Sequence, residues 1–202
     1  MTVAGQEKAA SMKYDAEKHH RRSIRLKGYD YGSVGAYFVT ICTQNRACWF
    51  GAVADGEMQL NEVGRIAQVS WHELPARFPN ISLEVSVVMP NHIHGIIIVG
   101  AQFIAPQDRI LNLIASTSQG AMNRAPTLGE IVRSYKAVSS RVIRRSTTPD
   151  FAWQRNYYEH VIRGDDSLNR IRQYVLDNPS HWVFDRENPA ATSLEPANLW
   201  HT

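Results

Sequence analysis

The chain has 202 residues, 44% of them hydrophobic and 20% charged, with a formal net charge of +3. That balance describes one soluble globular domain with extensions, and excludes a disordered chain or a long repeat array. The longest apolar runs fall far short of the roughly 20 residues a membrane span needs. The N-terminal stretch lacks the apolar core of a signal peptide. The two cysteines, Cys42 and Cys48, fit neither a CxxC motif nor a disulfide framework, so a reducing, cytoplasmic location is expected.

Residues 1–20 are polar and read as an N-terminal extension. "HHRRSIRLKG" then gathers Arg21, Arg22, Arg25 and Lys27 without an acid. "GAYFVTICTQN" predicts a strand over Tyr37–Thr43, and "WFGAVADGEMQL" a small hairpin turning at Asp55-Gly56. "NEVGRIAQVSWHELP" predicts a helix capped by Asn61, with Val63, Ile66, Ala67, Val69 and Leu74 along one side and Pro75 at its end. "ISLEVSVVMPNHIHGIIIVG" predicts two antiparallel strands joined at Met89-Pro90-Asn91.

The stretch 100–126 has no clear periodicity and reads as a loop insertion. A second helix is expected from Thr127, with Glu130 completing a capping box and Ile131, Tyr135, Val138 and Val142 facing inward. It carries a second basic cluster: Arg133, Lys136, Arg141, Arg144 and Arg145. "FAWQRNYYEHVIR" predicts an aromatic-rich strand, and "DDSLNRIRQYVLDNP" a short helix ending before Pro179. From Ser180 the chain is expected to wrap the surface, with 186–202 as a C-terminal tail. The order β-α-β-β-α-β implies an α+β, ferredoxin-like (RRM-like) antiparallel sheet with helices on one face and an added C-terminal helix.

Three features bear on chemistry. Basic clusters suit phosphate backbones, although a solvated helix face and a polar arm account for either one alone. His92 and His94, two apart on a strand, aim both imidazoles at one volume, where they either bind a metal or form a hydrogen-bonded pair. Tyr174 and Asn178, four apart on the last helix, share a face. They read as nucleophile and hard-metal ligand, or as a core aromatic and a helix end, and spacing alone favours the second.

Together these segments carry a resemblance. His92-Ile93-His94 after a Met-Pro-Asn turn is similar to the "HUH" pattern (His, bulky apolar, His) of single-strand DNA endonucleases. "RRSIRLKGYDY", "GAYFVTICTQNR", "VVMPNHIHGIIIV", "WQRNYYEHVIR" and "YVLDNP" resemble, in order, the REP-associated tyrosine transposases. These are relatives of single-tyrosine insertion-sequence transposases, and the likeness spans roughly residues 20 to 185, within a single domain taken as 21–185. The resemblance implies Tyr174 as a nucleophile forming a 5′-phosphotyrosine, on an added helix. It implies a divalent ion, Mg or Mn, held by His92, His94 and Asn178, where insertion-sequence relatives commonly have Gln.

It further implies single-stranded and hairpin DNA of repeated palindromic elements as partner, cleaved and rejoined without a nucleotide cofactor, by a monomer or a homodimer with no membrane association. Arg21, Arg22, Arg25, Lys27 and the basic face of the second helix would meet phosphates, and Tyr29, Tyr31 and Trp153 would stack on bases. Two other readings fit parts of the sequence. One is a non-catalytic nucleic-acid-binding module on an RRM-like sheet. The other is a zinc hydrolase using His92, His94 and His160 or His181.

Overall fold

β-Branched and aromatic residues dominate Gly35–Cys42, which forms the long strand β1. Gly51–Ala54 and Glu57–Leu60 follow as the hairpin β2–β3, with Asp55 and Gly56 at positive φ in its turn. Next come helices α1 (Glu62–His72) and α2 (Leu74–Arg77), then strands β4 (Ile81–Val88) and β5 (His92–Val99). Helix α3 (Leu128–Ser146), strand β6 (Tyr158–Ile162) and helix α4 (Asp165–Asp177) complete the elements. The computed structural model describes residues 34–100, 126–146 and 148–191. Arg21, Arg22, Arg25, Lys27, Tyr29 and Tyr31 lie outside these residues, as do nearly all of the expected 100–126 insertion and the end of the tail.

The main sheet runs β4-β5-β1-β6, with every neighbouring pair antiparallel. With β2–β3 set aside as a separate ribbon, this is the ferredoxin-like order expected from the sequence. Side chains alternate across the strands, so each face has its own inventory. Tyr37, Val39 and Ile41 of β1, with Ile93, Ile97 and Val99 of β5, pack under α1 and α3. Ala36 and Phe38, with Ile96 and Ile98, lie on the opposite face with Leu168, Ile171 and Val175 of α4. The 3–4 spacing of those α4 residues gives the helix one apolar stripe.

Local chemistry places the helices. The Asn61 side chain accepts from Gly64 N at 2.9 Å, capping α1. Thr127 and Glu130 form the expected box: Thr127 N donates to Glu130 Oε2 at 2.7 Å and Glu130 N to Thr127 Oγ1 at 3.3 Å. Gly164, at φ +123°, turns the chain from β6 into α4 in a conformation that disfavours side chains.

Several expectations need correction. Val69 and Val142 are exposed, because they fall out of phase with the stripes of their helices, and Trp71 fills the α1 core position instead. Pro75 sits in the first turn of α2, where its missing N–H costs nothing, so the helical path continues past it. β6 begins only at Tyr158; before it, Trp153 makes a single bridge to Thr43. The Trp153 indole is buried and donates to Ser139 Oγ at 3.0 Å, so it anchors α3 and is not a base-stacking platform. No helix among the described residues is long and apolar enough to cross a membrane.

Candidate metal and nucleophile site

The site occupies the end of the α4-covered face, where the strands stop being apolar. His94 lies opposite Thr40 and His92 opposite Cys42 in the β1–β5 register. Both imidazoles are buried, and their Nε2 atoms stand 3.0 Å apart. Two nitrogens each ~2.1 Å from one ion and at right angles would be separated by about that distance.

The surroundings orient these rings. Asn91 is fully buried, and its Nδ2 donates to Arg46 O at 3.0 Å and to Glu187 O at 2.6 Å. Those two bonds turn Asn91 Oδ1 toward His92 Nδ1, 2.8 Å away. An amide oxygen only accepts, so His92 carries its proton on Nδ1 and presents the Nε2 lone pair. His94 Nδ1 lies 2.8 Å from Thr40 Oγ1, a hydroxyl that can accept or donate. The tautomer with its proton on Nδ1 turns a second Nε2 lone pair toward the first, and the other tautomer donates Nε2–H to His92 Nε2. In the first tautomer both Nε2 lone pairs face the space a cation would fill, the arrangement of metal-ligating histidines whose other ring N–H is held by a neighbour.

Burial pushes His92 down to about 3, and the Arg46 charge pushes the same way. Burial and then the neighbouring His92 hold His94 well below its ordinary value, against a smaller upward pull from Asp185. Both rings are therefore neutral at physiological pH, the form that ligates metals. Asp185 Oδ2 lies 3.9 Å from His92 Nε2, too far for a hydrogen bond and, with His92 neutral, not an ion pair. Among the described residues, His92, His94 and Asp185 form the metal-ligating cluster, their ligand atoms within 4.8 Å of one another. This cluster is compatible with a divalent cation. Neither His160 nor His181 joins it.

Helix α4 brings the nucleophile candidate to this point. The Tyr174 hydroxyl is 3.4 Å from His94 Nε2, and its ring meets His94 at 5.3 Å and Phe38 at 6.0 Å between centroids. Arg172 latches the helix over the sheet edge, with Nη2 2.9 Å and Nε 3.3 Å from Glu84 Oε2 on β4. Asn178, one turn past Tyr174, is buried, and its Oδ1 has no hydrogen-bond partner. An orphaned amide oxygen on the same helix is what a further hard-metal ligand would leave behind.

Of the expected site residues, His92, His94 and Tyr174 meet directly. Asp185 was missed because it lies in a stretch, "HWVFDRENP", with no pattern of its own. That stretch, expected to wrap the surface, instead packs into the site: Asp185 is buried, and Glu187 pairs with Arg46 at 3.0 Å. Asn91, read only as a turn residue, orients His92.

The phosphate-binding cations expected on the second helix sit elsewhere. Arg133, Lys136, Arg141, Arg144 and Arg145 line a cleft of about 1080 Å³ between α3 and the segment before β6. Two of them also bind the protein: Lys136 Nζ donates to Gln154 O and Asn156 O, each at 2.8 Å, and Arg144 Nε donates to Phe151 O at 2.6 Å.

No protein-family model matches the chain. A Haemophilus influenzae protein described as uncharacterized is 42% identical over 174 residues, which make up 86% of this chain and 96% of that one. The chain belongs to that protein's family. Among solved structures, a REP-associated tyrosine transposase bound to a REP hairpin aligns with a TM-score of 0.50 at 16% identity, over 78% of this chain and 73% of its own. The chain has the fold of that transposase. A putative transposase from Deinococcus radiodurans aligns with a TM-score of 0.41 at 15% identity, over 77% of this chain and 97% of its own.

Proposed function

We propose that the protein cleaves and rejoins single-stranded DNA beside hairpins of repeated palindromic sequence, through a phosphotyrosine intermediate on Tyr174. The observation that carries this reading is the Tyr174 hydroxyl 3.4 Å from His94 Nε2, beside a pair of neutral imidazoles whose Nε2 atoms are 3.0 Å apart. The transposase neighbour in complex with a REP hairpin supports the choice of DNA.

His92 and His94 would hold a divalent ion, Mg or Mn, with Asp185 or Asn178 completing the protein's share of the ligands. When bound, that ion supplies Lewis-acid stabilisation of charge on the scissile phosphate. Asn91 keeps the His92 Nδ1 proton in place, and Thr40, accepting from His94 Nδ1–H in the metal-holding tautomer, would fix the second ring. Tyr174 Oη attacks phosphorus in line with the bond to the 3′ oxygen. The bond from Tyr174 to phosphorus forms as the P–O3′ bond breaks; the phenol proton is released and the 3′ oxygen leaves as a hydroxyl. The phosphodiester energy is retained in the linkage, and the reverse attack rejoins the strand without a nucleotide cofactor. Tyr174 meets His94 of its own chain, which favours a monomer carrying a complete site.

The test is incubation with hairpin oligonucleotides bearing single-stranded flanks, in Mn or Mg, followed by denaturing electrophoresis for a protein–DNA adduct. His92→Ala and His94→Ala are expected to abolish the adduct and leave hairpin affinity nearly unchanged, since affinity comes from phosphates and shape. Parallel loss of binding and cleavage would contradict that division of labour. A non-catalytic binding module predicts no adduct under any metal condition.

A further inference from the structure

The basic cleft at α3 adjoins a second one, whose Arg46 is tied through Asn91 to His92. The second cleft, about 470 Å³, is lined by Gln44, Asn45, Arg46, Trp153, Gln154 and Arg155. Trp153, Gln154 and Arg155 line the α3 cleft as well, so the two share a wall. That wall is firmly built: Gln44 N donates to Ala152 O and Gln154 N to Cys42 O, both at 2.8 Å, extending the end of β1. Arg155 is exposed on it.

The far end of this wall reaches the site. Arg46 O accepts from Asn91 Nδ2, and Asn91 Oδ1 holds His92. The Arg46 charge is close enough to depress His92. Arg46 also pairs with Glu187 at 3.0 Å, yet about half its side chain, 47%, stays exposed. Arg141, Arg133 and Lys136 line the α3 cleft, Arg155 lines both clefts, and Arg46 lines the second. The carboxylates along this path are Glu159, buried in the cleft wall, and Glu187 at the catalytic end.

We propose that this path is a single-stranded DNA track, which leads one strand from the α3 cleft around the end of β1 to Tyr174, with Arg155 as its midpoint. Cations along two adjoining clefts suit the phosphates of a strand, and phosphate contacts carry no sequence information. The two imidazoles are buried, with Asp185 3.9 Å from His92, so a strand reaching them must be unpaired. The proposal rests on reading the chain as a DNA-processing protein and adds the route by which the substrate arrives.

Binding of fluorescent oligothymidylates of increasing length, by anisotropy across a salt series, tests the track in the full chain. Wild-type affinity should climb with length and then level off. Arg155→Glu should remove most of that climb, while Arg155→Lys keeps it. Arg46→Gln should weaken only the longer oligomers, because the shortest fill the α3 cleft alone. For long oligomers the slope of log affinity against log salt should fall by about 0.7 for each phosphate no longer neutralised.

Thermal melting of each variant, matched to wild type, shows that the effect is not unfolding. Length dependence identical to wild type in both Arg155→Glu and Arg46→Gln would overturn the track. Blunt duplexes that bind as tightly and lose as much in Arg155→Glu would overturn the single-stranded assignment. Loss of the climb in Arg155→Glu without any adduct in wild type sinks the cleavage reading and keeps the track. Adduct formation with an insensitive length series sinks the track alone.

Discussion

On the face covered by α1 and α3, β1 contributes Tyr37, Val39 and Ile41; on the face covered by α4 it contributes Ala36, Phe38, Thr40 and Cys42. On the first face β1 and β5 present an apolar surface, with Glu159 of β6 buried opposite Val39, and aromatic rings interlock above it. Trp71 meets Tyr135 edge-on at 5.4 Å, and Trp153 meets Phe50 and Phe151, each at 5.3 Å. The second face is apolar for half its length, then gives way to Thr40, His94, Cys42 and His92. One strand thus contributes to the apolar core on one side and, past Phe38, to the candidate site on the other. Burial of the polar end costs stability unless each group is satisfied, and here Thr40 and Asn91 partner the Nδ1 nitrogens of the two rings.

If the first face carries the fold, its lesions should be the most destabilising. Trp71→Ala is expected to cost about 3–5 kcal/mol in urea unfolding. Gly95→Ala should cost about 1–3 kcal/mol, because its Cβ would stand 2.3 Å from Trp71 Cζ2. Tyr174→Phe, on the second face, should move stability far less. A Tyr174→Phe cost equal to that of Trp71→Ala would erase the distinction between the faces.

The second face should show itself in pH dependence. His92 is depressed to about 3 and His94 is depressed in the same direction, so between the ordinary value of 6.5 and about 3 the unfolded chain binds more protons. Metal-free stability should therefore be full above pH 6.5 and fall as pH drops through that window, by up to about 1.4 kcal/mol per pH unit for each ring. Replacing His92 with Gln should flatten the slope; an unchanged slope would show that these rings are not buried neutral. The smallest effect belongs to neither face. Arg21→Ala, Arg22→Ala and Arg25→Ala combined should lower the salt slope of hairpin binding, and an unchanged slope would mean this arm does not touch the backbone.

The elements whose signals are local were legible in the sequence. The Thr127–Glu130 box, the Asp55-Gly56 hairpin and the alternation in "HIHGIIIV" each name their own structure, and together they give the sheet order. The imidazole pair was legible because a strand must aim residues two apart at one side. Trp71 and Val69 were misjudged because counting aliphatic residues overlooks helical phase: the buried stripe runs Val63, Ala67, Trp71, Leu74, and Val69 is 56% exposed. Asp185, Asn91 and Arg46 were not legible as site residues. Their roles arise from packing between segments distant in sequence, and no spacing rule captures that Asn91 Nδ2 bonds Glu187 O at 2.6 Å.

The assignment of the nucleophile is the point on which the account depends. Tyr157 packs toward the first face, and Tyr158 lies at the Phe38 edge of the second, 6.4 Å from that ring. Tyr174, on a helix laid across the sheet, brings its hydroxyl to 3.4 Å from His94 Nε2. The most direct measurement is mass-spectrometric mapping of the DNA-linked peptide from the wild-type adduct, paired with Tyr174→Phe, Tyr157→Phe and Tyr158→Phe. The account predicts DNA on Tyr174 and loss of the adduct in Tyr174→Phe alone; a linkage on Tyr157 or Tyr158, or an adduct that survives Tyr174→Phe, would contradict it.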